Sequence, residues 1–263
     1  MKDPSIYHVQ VIDRIMQILA CFDDTHPVLG VSQIAGQVGL HRATVHRLVV
    51  ALVNAGILER VPNSDKYRLG IRLLELGLSI LRRMDFRQEA IPHMREMVDR
   101  FGEVCDLGIL DDGQVLYLEV FPSRFPIAVS VATGMRLPAH CTASGKAILA
   151  FLPPEEVDAL LPDTLRRFTE HTITTKAALF QQLEEIRQRG WALDDEEIEI
   201  GVRAVAAPIR DINGRAVASI GIPGPAGRLS YERIEEMAGA LMEAARAISA
   251  RLGWNGQAEA PTI

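Results

Sequence analysis

The sequence contains few aromatic residues and cysteines and no long apolar run. Of its 263 residues, 5% are aromatic and three are cysteines, Cys21, Cys105 and Cys141. No two cysteines form a C-x-x-C pair, which argues against a disulfide framework and a cysteine-rich zinc site and favours a reducing compartment. No stretch approaches the roughly 20 apolar residues that cross a bilayer, and the N-terminus lacks the apolar core of a secretory signal. We therefore expect a cytoplasmic protein without a membrane span.

The overall composition is that of a globular protein with an uneven charge distribution. Hydrophobic residues make up 48% and charged residues 24%, which excludes a disordered or fibrous chain, and the length fits two domains. The formal net charge is −6, but residues 1–84 balance to +3 and the remainder to −9. A small basic unit joined to an acidic body suggests a polyanion-binding module attached to a second domain, although a solvated surface has the same pattern.

Residues 1–70 are predicted to form a winged helix-turn-helix domain, with the helix-turn-helix at 31–50. Apolar residues between Val9 and Ala20 recur at helical spacing and predict a first helix. Ser32 is the expected N-cap of a second helix, Gly39 suits the tight turn after it, and a third helix is predicted from about Arg42. The positions of the small and apolar residues in this unit favour DNA binding over an ordinary helical hairpin.

The candidate DNA-binding residues lie on the third helix and on a predicted β-hairpin wing over 57–69. The exposed face of the helix carries residues that suit base edges or phosphates in a major groove, namely Arg42, Ala43, Thr44, His46 and Arg47. In the wing, two short strands flank the turn 62–65, and Arg60, Lys66 and Arg68 are candidates for phosphate contacts. The wing is alternatively a purely structural hairpin.

An apolar helix is predicted as a linker over 71–85, and it closes with Arg82 and Arg83. Its leucines and isoleucines would be a liability if exposed, so we expect the helix to pack against a second copy, because palindromic DNA is read by dimers. Packing on its own chain is the alternative.

Residues 86–253 are predicted to form an α+β domain with an antiparallel sheet flanked by helices. Its final helix is predicted at about 230–252, and the tail 254–263 is expected to be frayed. The predicted strands are about 104–110, 115–121, 127–131, 191–193, 202–208 and 216–222.

Three motifs of this domain are candidates for ligand chemistry. The segment Thr142–Lys146 starts a helix, where free backbone N–H groups suit an anion such as a carboxylate, although an ordinary helix start has the same sequence. The run 194–197, Asp-Asp-Glu-Glu, is either a solvated acidic turn or contributes one inward carboxylate, and no histidine accompanies it at metal-ligand spacing. The glycine- and proline-rich segment 221–227 lacks the prompt helix of a dinucleotide loop. We expect no metal and no cofactor.

The candidate catalytic groups are His140 with Cys141, and Ser144 near Lys146. Neither site shows a full set of nucleophile, base and orienting group, and Cys141 is better interpreted as a small buried apolar residue.

The chain resembles the IclR family of bacterial transcriptional regulators over about residues 7–252. The matching segments are VSQIAGQVGLHRATVHRLVVALVNAGILER with KYRLG, GMRLPAHCTASGKAILAFL, GWALDDEEIEIGVRAVAAPI and ASIGIPGPAGRL. The resemblance implies a winged helix-turn-helix followed by a GAF/PAS-like effector-binding domain, a dimer or tetramer, and repression or activation switched by a small organic acid.

The resemblance also assigns candidate effector-binding residues. The amides that hold the ligand carboxylate fall at Ala143 and Ser144, and the acidic pocket residue falls at Asp194. Glyoxylate- and pyruvate-type sensors of the family carry a cysteine and two serines at positions where this chain has Ala204, Gly221 and Pro223. With three polar partners missing, the hypothesis is a larger carboxylate with an apolar body, such as an aromatic acid.

The sequence therefore favours a ligand-responsive regulator that binds double-stranded operator DNA. The effector would shift operator affinity by binding one arrangement of the protein better than another. The alternative is an enzyme acting on an acyl or carboxylate substrate, with the N-terminal module as a DNA tether. A purely architectural DNA binder is a third option, in which a ligand pocket has no purpose.

Overall fold

The computed structural model describes residues 9–23, 25–81 and 84–256. The chain divides into two compact units, Met1–Arg83 and Met84–Ile263. Within the described ranges, no helix is both long and apolar enough to cross a membrane.

The N-terminal unit contains four helices and a small sheet in the part of it that the structure describes. In chain order the elements are α1 (Gln10–Leu19), β1 (Leu29–Gly30), α2 (Val31–Val38), α3 (Arg42–Asn54), β2 (Leu58–Arg60), β3 (Lys66–Leu69) and α4 (Ile71–Leu81). The strands are antiparallel in the order β1-β3-β2. This arrangement confirms the predicted winged helix-turn-helix. The strand β1, which adds a third member to the wing sheet, was not predicted.

Local capping explains the geometry of α2 and α3. Gly39 adopts the left-handed conformation at φ 68°, which allows the chain to turn sharply after α2. The Nδ1 atom of His41 accepts a hydrogen bond from the amide of Ala43 at 3.3 Å and so caps α3. The prediction of Ser32 as the N-cap of α2 is wrong: Gly30 holds that position, and its amide donates to Oε1 of Gln33 at 3.0 Å.

The core of this unit confirms the apolar faces of α2 and α3 but corrects that of α1. Ile34, Val45 and Val49 are fully buried. On α1 only Ile18 is buried, whereas Val9, Ile12 and Met16, which the spacing placed on the inner face, are exposed. α4 has no buried residue, and five of its seven large apolar side chains are 41% to 61% exposed, namely Ile71, Leu74, Leu76, Leu78 and Ile80. Arg82 and Arg83, predicted to close this helix, lie outside the described residues.

The C-terminal unit is an antiparallel sheet with helices on both faces. Its elements are α5 (Asp85–Phe101), β4 (Cys105–Asp111), β5 (Gln114–Phe121), β6 (Arg136–Pro138), a 3₁₀ turn (Ala139–Cys141), α6 (Ala143–Leu149), α7 (Pro154–Leu160), α8 (Lys176–Arg189), β7 (Ala192–Asp195), β8 (Val202–Arg210), β9 (Ala216–Pro225) and α9 (Tyr231–Arg251). The strand order is β6-β5-β4-β9-β8-β7. The mixed α+β class predicted from sequence is confirmed.

Successive side chains of each strand point to opposite faces, and each face has its own core. On one face, strand residues such as Leu107, Val205 and Ile220 pack with α5 and α9. On the other face, Tyr117, Ala206 and their neighbours pack with α6, α7 and α8. The sheet is therefore buried on both sides, and α6 lies against the face that carries Ala206 and Tyr117.

Three predictions about this unit are wrong. The segment 127–131 forms no strand, and the third strand is instead β6. β9 continues to Pro225, so residues 221–225 belong to the sheet rather than to a loop. At the predicted frayed tail, Trp254 is anchored: its amide donates to the carbonyl of Ser249 at 3.0 Å and its ring lies 4.0 Å from the guanidinium of Arg210. Residues 257–263 of that tail lie outside the described residues.

Candidate functional sites

The N-terminal unit has a basic concavity of about 740 Å³ between the helix-turn-helix and the wing. It is lined by the start of α2, the exposed face of α3 and the beginning of β3: Gly30, Val31, Ser32, Gln33, Arg42, Ala43, His46, Arg47, Asp65, Lys66 and Tyr67. Five of the eight predicted DNA-binding residues thus share one surface. The three others, Thr44, Arg60 and Arg68, do not line it. Thr44 is half-buried beside the core residue Val45.

The charges of this surface divide into paired and unpaired groups. Arg60 pairs with Asp65 at 2.5 Å, and Arg68 pairs with Glu59 at 3.0 Å. Glu59 also accepts the amide of Ile71 at 3.1 Å, and this hydrogen bond, with that of Arg68, lowers the pKa of the Glu59 carboxyl. Glu59 therefore links the wing to the start of α4, and Arg68 pairs with it across the two wing strands.

By contrast, Arg42, Arg47 and Lys66 form no ion pair with any other described residue. Three unpaired cations around one concavity form a surface suited to phosphate oxygens.

The C-terminal unit encloses a cavity of about 40 Å³ between the sheet and α6. All six predicted effector-binding residues line it, namely Ala143, Ser144, Asp194, Ala204, Gly221 and Pro223. Eight further residues complete the lining: Asp106, Tyr117, Val129, Val131, Leu137, Thr142, Ile198 and Val202. Apolar side chains dominate this lining, and the polar groups come from a few strand and helix-terminal positions. Such a lining is typical of sites for small organic ligands.

The N-terminus of α6 presents backbone donors to this cavity. The hydroxyl of Thr142 accepts the amide of Gly145 at 3.3 Å, and the carbonyl of Thr142 accepts the amide of Lys146 at 3.0 Å. The amides of Ala143 and Ser144 come before these two bonded amides, and the first amides of a helix have no partner within the helix. They are thus placed for a carboxylate oxygen.

Asp106 and Ser144 form a buried hydrogen-bonded pair beside Gly221, which has no side chain to occupy that space. The hydroxyl of Ser144 donates to Oδ1 of Asp106 at 3.0 Å. β4 places Asp106 opposite Gly221, where an added Cβ atom would lie 2.9 Å from the Ser144 hydroxyl and 3.0 Å from that Oδ1. The pair therefore fills the space that a larger residue at 221 requires. Burial raises the pKa of Asp106 to about 7, and the Ser144 hydrogen bond opposes the rise.

The acidic run 194–197 is not a fully solvated turn, because Asp194 and Glu197 are both buried. Oδ1 of Asp194 accepts the amide of Glu197 at 2.8 Å. The Glu197 carboxylate forms an ion pair with the fully buried ammonium of Lys146, which lies 51 positions earlier in the chain. Burial raises the pKa of Asp194 to about 7, although Lys146 opposes the rise. The Lys146–Glu197 pair thus joins α6 to the turn after β7, the two elements that bring Ser144 and Asp194 to the cavity.

Cys141 lacks the environment of a nucleophile. Its thiol is buried, its nearest hydrogen-bond acceptor is the carbonyl of Pro138 at 3.8 Å, and burial raises its pKa to about 12. A reactive cysteine requires a lowered pKa. Among the described residues, no group of three or more His, Cys, Asp or Glu side chains is placed to hold a metal ion.

Sequence reasoning missed two polar residues of the cavity, Asp106 and Tyr117. Both were interpreted only as members of strands. The sequence does point to Asp106, because a carboxylate between two apolar residues such as Cys105 and Leu107 is unusual inside a buried strand. Tyr117 gives no such signal, since a tyrosine is common in a strand and its burial, which raises its pKa, follows from tertiary packing.

Two family models match the chain in consecutive regions. The IclR helix-turn-helix domain matches residues 11–62, and the bacterial transcriptional regulator IclR C-terminal domain matches residues 78–250.

Similar proteins have been described across the full length. The chain is 33% identical over 247 residues to the HTH-type transcriptional regulator XynR of Escherichia coli, an alignment that covers 94% of this chain and 98% of that protein. The crystal structure of the Thermotoga maritima IclR is 34% identical, with a TM-score of 0.76 and coverage of 94% and 100%. An IclR homologue from Microbacterium hydrocarbonoxydans, crystallised with 4-hydroxybenzoate, is 31% identical, with a TM-score of 0.78 and coverage of 92% and 99%.

Proposed function

Since the chain belongs to the IclR family of bacterial transcriptional regulators, with a DNA-binding helix-turn-helix and a C-terminal effector domain, we propose which residues perform each task. Arg42, Ala43, His46, Arg47 and Lys66 contact operator DNA, and Thr44 and Arg68 support this surface. The cavity between the sheet and α6 binds a small organic acid. The observation that carries the second proposal is that all six residues assigned from sequence line one cavity.

In this proposal the effector carboxylate lies on the amides of Ala143 and Ser144. Backbone N–H groups at the positive end of a helix dipole suit an anion. Asp194, on the edge strand β7 three strands away from β4, accepts a hydrogen bond from a second polar group of the effector. The remaining contacts at Ala204, Gly221 and Pro223 are apolar.

We propose an aromatic acid as the effector. The apolar lining supports this choice, and the relative crystallised with 4-hydroxybenzoate is similar over almost the whole chain. The cavity of about 40 Å³ has room for about three water molecules, and benzene binds in a cavity of about 150 Å³. An aromatic ring therefore requires the segment that carries Val129 and Val131, which has no regular secondary structure, to move outward.

A thermal-shift screen of the full chain tests the proposal with glyoxylate, pyruvate, benzoate and 4-hydroxybenzoate. An acid at 100 times its dissociation constant stabilises the fold by about 2.7 kcal/mol, a shift of about 5–10 °C. We expect benzoate or 4-hydroxybenzoate to shift the melt, and Asp194→Ala to abolish the shift while operator binding persists. Binding of glyoxylate or pyruvate alone would refute the aromatic acid, and an unchanged response in Asp194→Ala would refute the assignment of the cavity.

We further propose that the chain self-associates, as a dimer or tetramer, through the exposed apolar face of α4. Contiguous exposed apolar side chains mark interaction surfaces. Sedimentation of the wild type and of Leu74→Lys tests this, with a lower-mass species expected for the variant. We also propose a cytoplasmic location, which the three scattered cysteines, no two of which form a C-x-x-C pair, support.

The enzyme alternative has no supporting observation at its candidate nucleophiles. Burial holds the Cys141 thiol in its protonated form, and the Ser144 hydroxyl is engaged by the Asp106 carboxyl rather than by a basic nitrogen. We propose that neither residue performs catalysis. Turnover of a carboxylate ester, lost on Ser144→Ala, would contradict this proposal.

A further inference from the structure

Asp106 is a buried carboxyl group in the effector cavity that the assigned ligand contacts leave unused. It projects from β4, in the middle of the sheet, and among the described residues the hydroxyl of Ser144, at 3.0 Å, is its one hydrogen-bond donor. The absence of a side chain at Gly221 leaves room for the carboxyl group at this position. Asp106 thus lies directly beside the residue whose amide is proposed to hold the effector carboxylate.

The groups that face Asp106 carry no positive charge. Tyr117 approaches from β5, Ser144 from α6, Cys105 is its neighbour on β4, and Asp194 lines the same cavity from β7. In the part of the chain that the structure describes, no lysine, arginine or histidine pairs with the Asp106 carboxyl group. The nearby ammonium group of α6, that of Lys146, is committed to Glu197.

Two carboxylates that share a dry site without a cation cannot both be ionised at low cost. An effector carboxylate on the amides of Ala143 and Ser144 creates this situation with Asp106. A proton between the two groups turns repulsion into a charge-assisted hydrogen bond.

We propose that Asp106 is a specificity-determining residue of the cavity, which donates a hydrogen bond from its protonated carboxyl group to the effector carboxylate, so that the effector and one proton bind together. This inference rests on the proposed function. Burial is consistent with it, because it already raises the pKa of Asp106 to about 7. The group therefore takes up its proton at little cost near neutral pH. An uncharged analogue, such as the amide of the same acid, gains nothing from that proton.

The proposal predicts a pH dependence of affinity with a definite sign. Below pH 7 the Asp106 carboxyl is protonated before the effector arrives, and affinity is constant. Above pH 7 each binding event must take up a proton, so the dissociation constant increases by about tenfold per pH unit.

Isothermal titration of the full chain between pH 6 and 8.5 tests this, with benzoate and 4-hydroxybenzoate as probes and glyoxylate and pyruvate as further probes. We expect an increase in the dissociation constant of about tenfold or more between pH 7 and 8.5. Titrations at pH 8.5 in phosphate and in Tris, which differ in ionisation enthalpy, should report the uptake of about one proton.

Asp106→Asn and Asp194→Asn are a matched pair, because each replaces one buried carboxyl of the same cavity with an amide. Asp106→Asn keeps a donor and loses the titration, so its affinity at pH 6 should stay within a few-fold of wild type and should not vary with pH. Asp194→Asn should bind more weakly and keep the pH dependence. Circular dichroism confirms that both variants are folded.

The outcomes separate the inference from the function beneath it. If an acid binds with an affinity that is independent of pH or increases with pH, binding takes up no proton at Asp106 and the inference is wrong, although the effector cavity stands. If Asp194→Asn rather than Asp106→Asn removes the pH dependence, the proton is assigned to the wrong carboxyl. If none of the four acids binds at any pH, the proposed function and the inference both fail.

Discussion

Replacing Gly221 with alanine tests whether the Ser144–Asp106 pair occupies the space beside Gly221. The φ angle of Gly221 is not in the left-handed region, so the backbone accepts an alanine and the effect is purely steric. The new Cβ atom would lie 2.9 Å from the Ser144 hydroxyl and 3.0 Å from Oδ1 of Asp106. One of these side chains must rotate away, and the buried hydrogen bond between them is lost.

The size of the effect follows from that hydrogen bond. A buried polar group that loses its partner costs about 1–3 kcal/mol. The lower entropy of the unfolded chain with alanine offsets about 0.4–1 kcal/mol, so we expect a net loss of about 1–2 kcal/mol. For a unit of this length the melting temperature changes by about 2–4 °C per kcal/mol, which gives a decrease of about 2–8 °C.

Gly239→Ala is the matched control, because Gly239 lies within α9 and an added Cβ atom there meets no atom within 4 Å. Alanine in a helix interior is favoured over glycine by about 0.8–1 kcal/mol, so this variant should melt higher than wild type. Differential scanning calorimetry measures both. If Gly221→Ala is as stable as Gly239→Ala, the space beside Gly221 is not occupied by the Ser144–Asp106 pair and the reasoning fails.

Three further predictions concern charged groups of the two units. Lys146→Met leaves the Glu197 carboxylate buried and unpaired, which should lower the free energy of unfolding, measured in urea, by about 3–5 kcal/mol. The double variant with Glu197→Leu should recover most of that loss. A double variant no more stable than the single one would contradict this prediction. Arg47→Ala should weaken binding to operator DNA selected from a random duplex pool and reduce the slope of log affinity against log salt by about one, as measured by fluorescence anisotropy, with Arg251→Ala unchanged. Burial raises the pKa of the Asp106 carboxyl from its ordinary value of 3.8 to about 7, so its burial destabilises the fold increasingly as the pH rises from about 4 to 7. Asp106→Asn should therefore gain in melting temperature relative to wild type between pH 5 and pH 8, and an unchanged difference would argue against the raised pKa.

Local patterns made the N-terminal unit predictable from sequence. The turn at Gly39 and the apolar spacing of α2 and α3 depend on neighbours within a few residues. The face of α1 could not be predicted, because this helix carries apolar residues on both sides and only the tertiary fold decides that Ile18 is buried while Met16 is exposed. In the same way, the segment 127–131 has the β-branched residues of a strand but no partner strand, and Val129 and Val131 line the cavity instead.

The cavity was predictable in part through the family resemblance and not through spacing. Ser144 and Asp106 are 38 positions apart, and Lys146 and Glu197 are 51 apart. No periodicity within a window of one helix or strand relates such residues. The acidic run 194–197 shows where prediction from local sequence ends. Its composition is that of a solvated turn, whereas the ion pair with Lys146 explains why the Glu197 carboxylate is buried.

The order of strands in the C-terminal sheet has a consequence for the evolution of ligand preference. Every strand of the sheet, as far as the structure describes it, contributes at least one residue to the cavity, in the spatial order Leu137, Tyr117, Asp106, Gly221, Ala204 and Asp194. On β4, β8 and β9, neighbouring side chains such as Leu107, Val205 and Ile220 point to the opposite face and pack with α5 and α9. A substitution on the cavity side therefore alters the ligand environment while that second core stays intact. Single substitutions on separate strands can therefore change the shape and polarity of the cavity one position at a time.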